Sequence, residues 1–495
     1  MKVAVQIIIF LFSIVQVAFC QVLENEDLFH VVDTIEIKGK IFGYNSERGD
    51  HFITFSTHDL FGKKTKKAFQ IASDGTFEVK VNQAFDGDIQ MNYKDAFIDL
   101  YAIVGKSLTV EIYDDKVDKS DFGNAFVVKG ELADVNNLMI KFASEMLAQD
   151  FPPADFDKDQ TDSVFASKNM LLLKSKQKLL ELFIAKNNIK DRIFIDWQTN
   201  QLNYTMGKDI LIFPFFGREN RAISHRQLLK LINPIGFNNQ SALHNSSYYI
   251  FLNTLSQAHQ IIFNINPLYE KTRIENNMVA EMLDLIDSYA SSITRQLLYY
   301  NAFHLIPSQT STSNKFLPRF EKTLTQPYLA RALRLDAVDG DTDFKPYDIL
   351  EKLKGLKVDV VLKKRLIDLF SSYRGTSLYI DFWGDWCPPC LEELPKYPDI
   401  ITTMKGQPIK FLFLSTFTTD ESMKAIKEKF GIEADFINLN KDEVSIVNNA
   451  FGFHSYPSHF FVDREGRVLK KMFRIGKESI PAVAKVLQGL NAPKN

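Results

Sequence analysis

The chain has 495 residues, 45% hydrophobic and 24% charged, with a formal net charge of -2. That length exceeds what one hydrophobic core supports and implies roughly two to four domains. The composition excludes general disorder, and the interspersed charge excludes the basic surface that nucleic acid requires.

At the N-terminus, Met1 and Lys2 precede a near-continuous apolar run from Val3 to Ala18. Ala18-Phe19-Cys20 then offers small residues where a signal peptidase reads them. Residues 1–20 are therefore expected to be a cleaved signal peptide, and the mature chain an exported protein of the periplasm or cell envelope. The run is short for a membrane span, which takes about 20 apolar residues. An uncleaved anchor or a lipid on Cys20 are the alternatives. The chain holds three cysteines, so removal of Cys20 leaves only Cys387 and Cys390. Exported proteins stapled by disulfides carry several scattered pairs, and a single close pair favours chemistry.

Residues 21–132 read as an antiparallel β-sandwich. Apolar residues alternate in Thr34-Ile35-Glu36-Ile37-Lys38 and from Ser107 to Ile112, and Asp74-Gly75 predicts a hairpin within Phe69 to Val81. Residues 133–370 shift to helical spacing, with helices expected over Met170–Ile189 and Asn276–Leu298. Sequons at Asn203, Asn239 and Asn245 matter only in a host that glycosylates exported proteins. Residues 371–495 alternate strands and helices. A strand from Ser377 to Trp383 leads into a proline-interrupted helix, and Ile409–Ser415 forms the next strand. The spacing Thr418-x-x-Glu421 predicts a capping box for a helix closed by Gly431. A short helix near Glu443, a hairpin across Asp463 to Gly466 and a terminal helix with Ile480, Val483, Leu487 and Leu490 on one face complete an α/β sandwich.

The pair Cys387-Pro388-Pro389-Cys390 follows a strand and opens a helix. Cys387 then falls at the N-cap, where free amides and the positive dipole end favour a thiolate on the outer, more exposed sulfur. Such a thiolate attacks a substrate disulfide, and Cys390 is close enough to resolve the mixed disulfide. Pro388 and Pro389 suit the first helical turn but remove two amides that would otherwise solvate the thiolate, leaving the Cys390 N–H as the main donor. Zinc takes four ligands and the chain offers no second cysteine pair, so neither a metal nor any cofactor beyond the Cys387–Cys390 disulfide is expected.

The segment Tyr379-Ile380-Asp381-Phe382-Trp383-Gly384-Asp385-Trp386-Cys387-Pro388-Pro389-Cys390 resembles the active-site strand and helix start of the thioredoxin family. Pro395 matches its helix-kinking proline, and Tyr456-Pro457-Ser458 resembles its cis-proline loop. The continuation Leu391-Glu392-Glu393-Leu394-Pro395 and the Asp463 to Gly466 hairpin are similar to the TlpA/ResA-like branch of exported thiol–disulfide oxidoreductases. The resemblance covers about the last quarter of the chain and implies a thioredoxin-like fold there. It further implies that Cys387 is the nucleophile, Cys390 the resolving thiol and Asp381 a buried acid relaying the Cys390 proton. Pro457 would be cis, with Tyr456 and the two prolines of the motif bordering the substrate, and Trp386 would pack against the site. Glu443 falls in the segment where that branch keeps an acid near the thiols, and His454 lies close to Pro457.

The expected function is reduction of disulfides in envelope proteins, with a membrane dithiol as electron donor. The alternatives are an oxidase or isomerase on the same site, or an envelope binding and assembly protein with an accessory thioredoxin domain.

Overall fold

The computed structural model describes residues 28–29, 33–117, 122–157, 159–215, 223–263, 276–305, 311–331, 333, 345–453 and 455–472. The expected signal peptide, Cys20, His454 and the expected terminal helix lie outside the described residues.

The first strands are β1 (Asp33–Phe42), β2 (Phe52–His58), β3 (Lys64–Gln70), β4 (Thr76–Gln83), β5 (Gly87–Tyr93), β6 (Ala96–Ala102), β7 (Ser107–Tyr113) and β8 (Phe126–Lys129). They form two four-stranded sheets, ordered β4-β1-β7-β8 and β3-β2-β5-β6. Strict alternation along β4 buries Phe77, Val79 and Val81 and exposes their neighbours, as the period of a half-buried strand demands.

Two expectations are corrected here. The Asp74-Gly75 turn exists, with Gly75 at φ 85 and Thr76 donating to Asp74. Its flanking strands nevertheless join different sheets, because β4 pairs with β1 along its whole length whereas β3 pairs with β2. A full ladder outweighs the few bonds of a local turn. The sheets are also not wholly antiparallel, since β1 and β7 run parallel. The chain passes through β5 and β6 in the other sheet before returning, and that crossover lets β7 enter in the direction of β1.

Helices follow at Ala133–Leu147, Asp162–Lys186, Arg192–Ile212 and Ser246–Ile262. The single helix expected over Asn276–Leu298 is two, Asn276–Tyr289 and Ser292–Leu305, with Ser292 left-handed at φ 45. Ile35, Ile53 and Ile89 of the sheets share one core with Phe194, Leu252 and Leu298 of the helices. Asp88 of β5 ties the two regions together, accepting from Ser246 N at 2.7 Å, Ser246 Oγ at 2.5 Å and Trp197 Nε1 at 3.2 Å. The sequon residue Asn245 is fully buried, its amide donating to Trp197 O, so it presents no surface for a glycan.

The C-terminal sheet has six strands: β9 (Tyr347–Asp348), β10 (Ser377–Trp383), β11 (Ile409–Thr416), β12 (Asp435–Leu439), β13 (Ser458–Val462) and β14 (Arg467–Met472). Their order is β12-β11-β10-β13-β14-β9, with β10, β11 and β12 parallel and the remaining pairings antiparallel. Central β10 is buried at every residue, which explains its largely apolar sequence, with Asp381 the charged exception. The boundary expected at residue 370 falls inside this unit. Helices Ile349–Gly355 and Val360–Ser372 bury Ile349, Leu350, Leu353, Leu366 and Phe370 in the same core as Leu378, Ile380 and Phe460. The general helical spacing expected over residues 133–370 covered these segments but carried no information about which sheet they cover.

Candidate active site

β10 leads through Gly384-Asp385-Trp386 to Cys387, which caps the helix Pro388–Glu393 with the two prolines at its first positions. The chain then makes a 3-10 turn over Leu394–Lys396 and continues as the helix Tyr397–Thr403. Cys387 and Cys390 form a disulfide, S–S 2.05 Å. The Cys390 N–H donates to Cys387 Sγ at 3.2 Å, the contact available to a capping sulfur once two prolines have replaced the other amides. Cys387 was expected to be the exposed sulfur, but the two residues are only 3% and 2% exposed. Both cysteines belong to a buried cluster with Trp383, Tyr397 and Phe413, against which Leu391 and Tyr456 pack.

The loop before Cys387 is braced from β11. Trp386 donates from Nε1 to Thr416 O at 2.8 Å, and Asp385 accepts from Thr418 Oγ1 at 3.1 Å and Ser422 Oγ at 2.6 Å. This explains the failure of the predicted capping box. With Thr418 engaged by Asp385, Thr419 caps the helix Asp420–Phe430 instead, accepting from Ser422 N. Gly384 is required by close approach, because a Cβ there would stand 2.3 Å from Trp386 Nε1. Trp386 remains 48% exposed and meets Tyr456 edge-on at 5.1 Å. The Tyr456–Pro457 peptide is cis. The structure thus brings Trp386, Tyr456 and the cysteine pair to one place.

Asp381 lies on β10 directly opposite His459 of β13. Its Oδ2 accepts from Tyr397 Oη at 2.7 Å, and its Oδ1 is 3.3 Å from His459 Nε2. Glu393, one helical turn beyond Cys390 and on the same face, brings Oε2 to 3.1 Å from the same nitrogen. All three side chains are essentially without solvent. Burial by itself would lower the His459 pKa, but Asp381 and Glu393 more than offset it and hold the imidazole up to about 9. His459 is therefore a buried cation facing two acids. The ring of Tyr379 stacks on it, and burial keeps the Tyr379 and Tyr397 hydroxyls well above their ordinary range, that of Tyr397 donating to Asp381.

Glu393 and His459 were missed as site residues. Glu393 stands in the motif, three residues after Cys390, and helical spacing alone could have found it. His459 had no local signal, because only strand pairing brings it to Asp381. Glu443 is a capping residue instead, exchanging bonds with Asn440 and pairing with Arg365 at 2.7 Å.

The AhpC/TSA family matches residues 356–471. The thiol-disulfide oxidoreductase ResA of Geobacillus thermodenitrificans is 28% identical over 100 residues, 20% of this chain and 56% of the relative. ResA of Geobacillus kaustophilus is 30% identical over 98 residues, 20% of this chain and 55% of the relative. The chain thus spans about half the length of these curated relatives. Among solved structures, the thioredoxin domain of a thiol-disulfide oxidoreductase from Bacteroides vulgatus is 25% identical, covering 24% of this chain and 83% of that one at a TM-score of 0.22. These matches support a thioredoxin-superfamily domain similar to the TlpA/ResA-like branch at the C-terminal end of this chain.

Proposed function

We propose that the protein is an exported thiol–disulfide oxidoreductase that reduces disulfides in other proteins. The disulfide at a helix N-cap, with the Cys390 N–H directed at Cys387 Sγ, carries this reading. In the reduced enzyme the Cys387 thiolate attacks a client disulfide, forming a mixed disulfide and releasing one client thiolate. Cys390 loses its proton, with Asp381 the acceptor that the resemblance implies, and attacks Cys387, releasing the second client thiolate and regenerating the disulfide. The client gains two electrons, and a dithiol donor, proposed to lie in the membrane, restores the enzyme.

A single backbone donor on the Cys387 sulfur stabilises a thiolate less than a full set of amides would, and this favours the reducing direction. A reduction potential near about -270 mV supports that direction, whereas one near about -120 mV would assign the site to an oxidase. Export is proposed from the apolar residues 3–18, and recovery of the chain with the cytosolic fraction would overturn it.

The full chain with a dithiol donor should reduce insulin, and Cys387→Ser should abolish the activity. Cys390→Ser expressed in the native host should accumulate clients as mixed disulfides on Cys387, visible as bands that collapse on reduction. If the wild-type chain neither reduces insulin nor cycles with the donor, the reading fails.

A further inference from the structure

The N-terminal sheets are fastened to the redox unit beside its active site. The helix Lys441–Phe451 lies along β3, an edge strand of its sheet. Asn449 donates to Ala68 O at 2.7 Å and accepts from Ala68 N at 3.0 Å, so its amide stands in for a neighbouring strand. His51 pairs with Asp442 at 2.8 Å, and Asp50 with Lys441 at 2.7 Å. These contacts enclose a cleft of about 290 Å³, with Phe97 of β6 from the N-terminal unit and Phe417 and Tyr456 from the redox unit on its walls.

Three features distinguish this cleft from ordinary surface. Phe97 is 58% exposed and Phe417 61%, and Tyr456 leads from them to Trp386, which precedes Cys387. Large apolar rings gathered at one cleft and left in water mark a binding surface. Phe417 also holds a left-handed backbone, φ 52, unfavourable for a bulky residue and retained where the ring's direction matters. Asn448 belongs to the wall of the same cleft, and its buried Oδ1 has no hydrogen-bond partner.

We propose that this cleft is the client-binding groove, receiving the extended polypeptide segment that flanks the client's reacting cysteine and seating a large apolar side chain on Phe97 and Phe417. The proposal rests on the oxidoreductase reading. Any partner must bring a sulfur to Cys387, and the chain on one side of that sulfur then lies over Tyr456 and into the cleft. A small disulfide has no such chain and cannot reach it. The N-terminal unit thereby selects clients, whereas the cysteine pair would react with any accessible disulfide.

Two probes test this on the full chain. One is a short peptide with leucines on both sides of a single cysteine, carried as a mixed disulfide with glutathione. The other is glutathione disulfide. The reduced enzyme converts the first to peptide thiol and glutathione while its own pair is oxidised. Phe97→Thr and Phe417→Asn, the latter chosen because Asn accepts the left-handed backbone, should each lower the kcat/KM ratio of peptide to glutathione disulfide about tenfold. The same peptide with Ser for Cys, titrated by calorimetry against the oxidised chain, should bind about tenfold more weakly to either variant. Equal loss on both disulfides, or an unchanged ratio and Kd, overturns the proposal. A concentration-dependent dimer that dissociates in Phe417→Asn also overturns it, assigning the cleft to a second copy. If no disulfide is reduced even by the wild type, the oxidoreductase reading falls, and the calorimetric arm alone decides the cleft.

Discussion

His459 is the residue whose chemistry is least like its setting, an imidazole without solvent that is held at about 9 by two acids. Because its pKa is raised, its contribution to stability is complete below the ordinary value of 6.5 and is lost as pH climbs through about 9. The melting temperature should therefore fall as pH rises from 7 to 10, and His459→Gln should flatten that fall. The variant also leaves Asp381 and Glu393 buried without their cation, a loss of about 3 kcal/mol at neutral pH in denaturant titration. A wild-type melting temperature that is flat across this range would contradict the assignment. The cysteines could be named from their spacing, and Asp381, Trp386 and Pro457 from the resemblance that contiguous motifs carry. His459 could not, because its partner is 78 residues away in sequence and adjacent only through the pairing of β10 with β13.

At the scale of elements, local signals located several helices and strands and misjudged some of their partners. The Asp74-Gly75 turn was legible, yet the ladder that decides where β4 lies comes from β1. Thr418 had the spacing of a cap, yet Asp385 claims its hydroxyl. The same competition makes Asp88 a joint between elements distant in sequence, since it satisfies the first amide of the helix Ser246–Ile262 from a strand in another region. Asp88→Ala should cost about 3 kcal/mol, the value of hydrogen bonds to a charged group plus donors left buried. Hydrogen exchange should quicken first at Ser246 and Ser247. A loss below about 1 kcal/mol would mean that water replaces the carboxylate.

For the whole molecule, the decisive observation is how much chain the C-terminal unit needs. A fragment beginning at residue 371 discards Ile349, Leu350, Leu353, Leu366 and Phe370, each worth about 1.5–3 kcal/mol when buried. It should aggregate or be digested rapidly by protease, whereas a fragment beginning at residue 345 should melt cooperatively. Equal protease resistance of the two would remove these helices from the core. By itself the sequence marked a close thiol pair at a helix start and, through the resemblance of its flanking strand and proline loop, a thioredoxin-like fold around it, because these features are specified by neighbours along the chain. Only the tertiary structure decided what surrounds the sulfurs: the His459–Asp381–Glu393 cluster, the cover over Cys387, and the N-terminal sheets beside the site. Those depend on strand register and on packing between distant segments, and register and packing are settled by the sum of many weak contacts that no local pattern records.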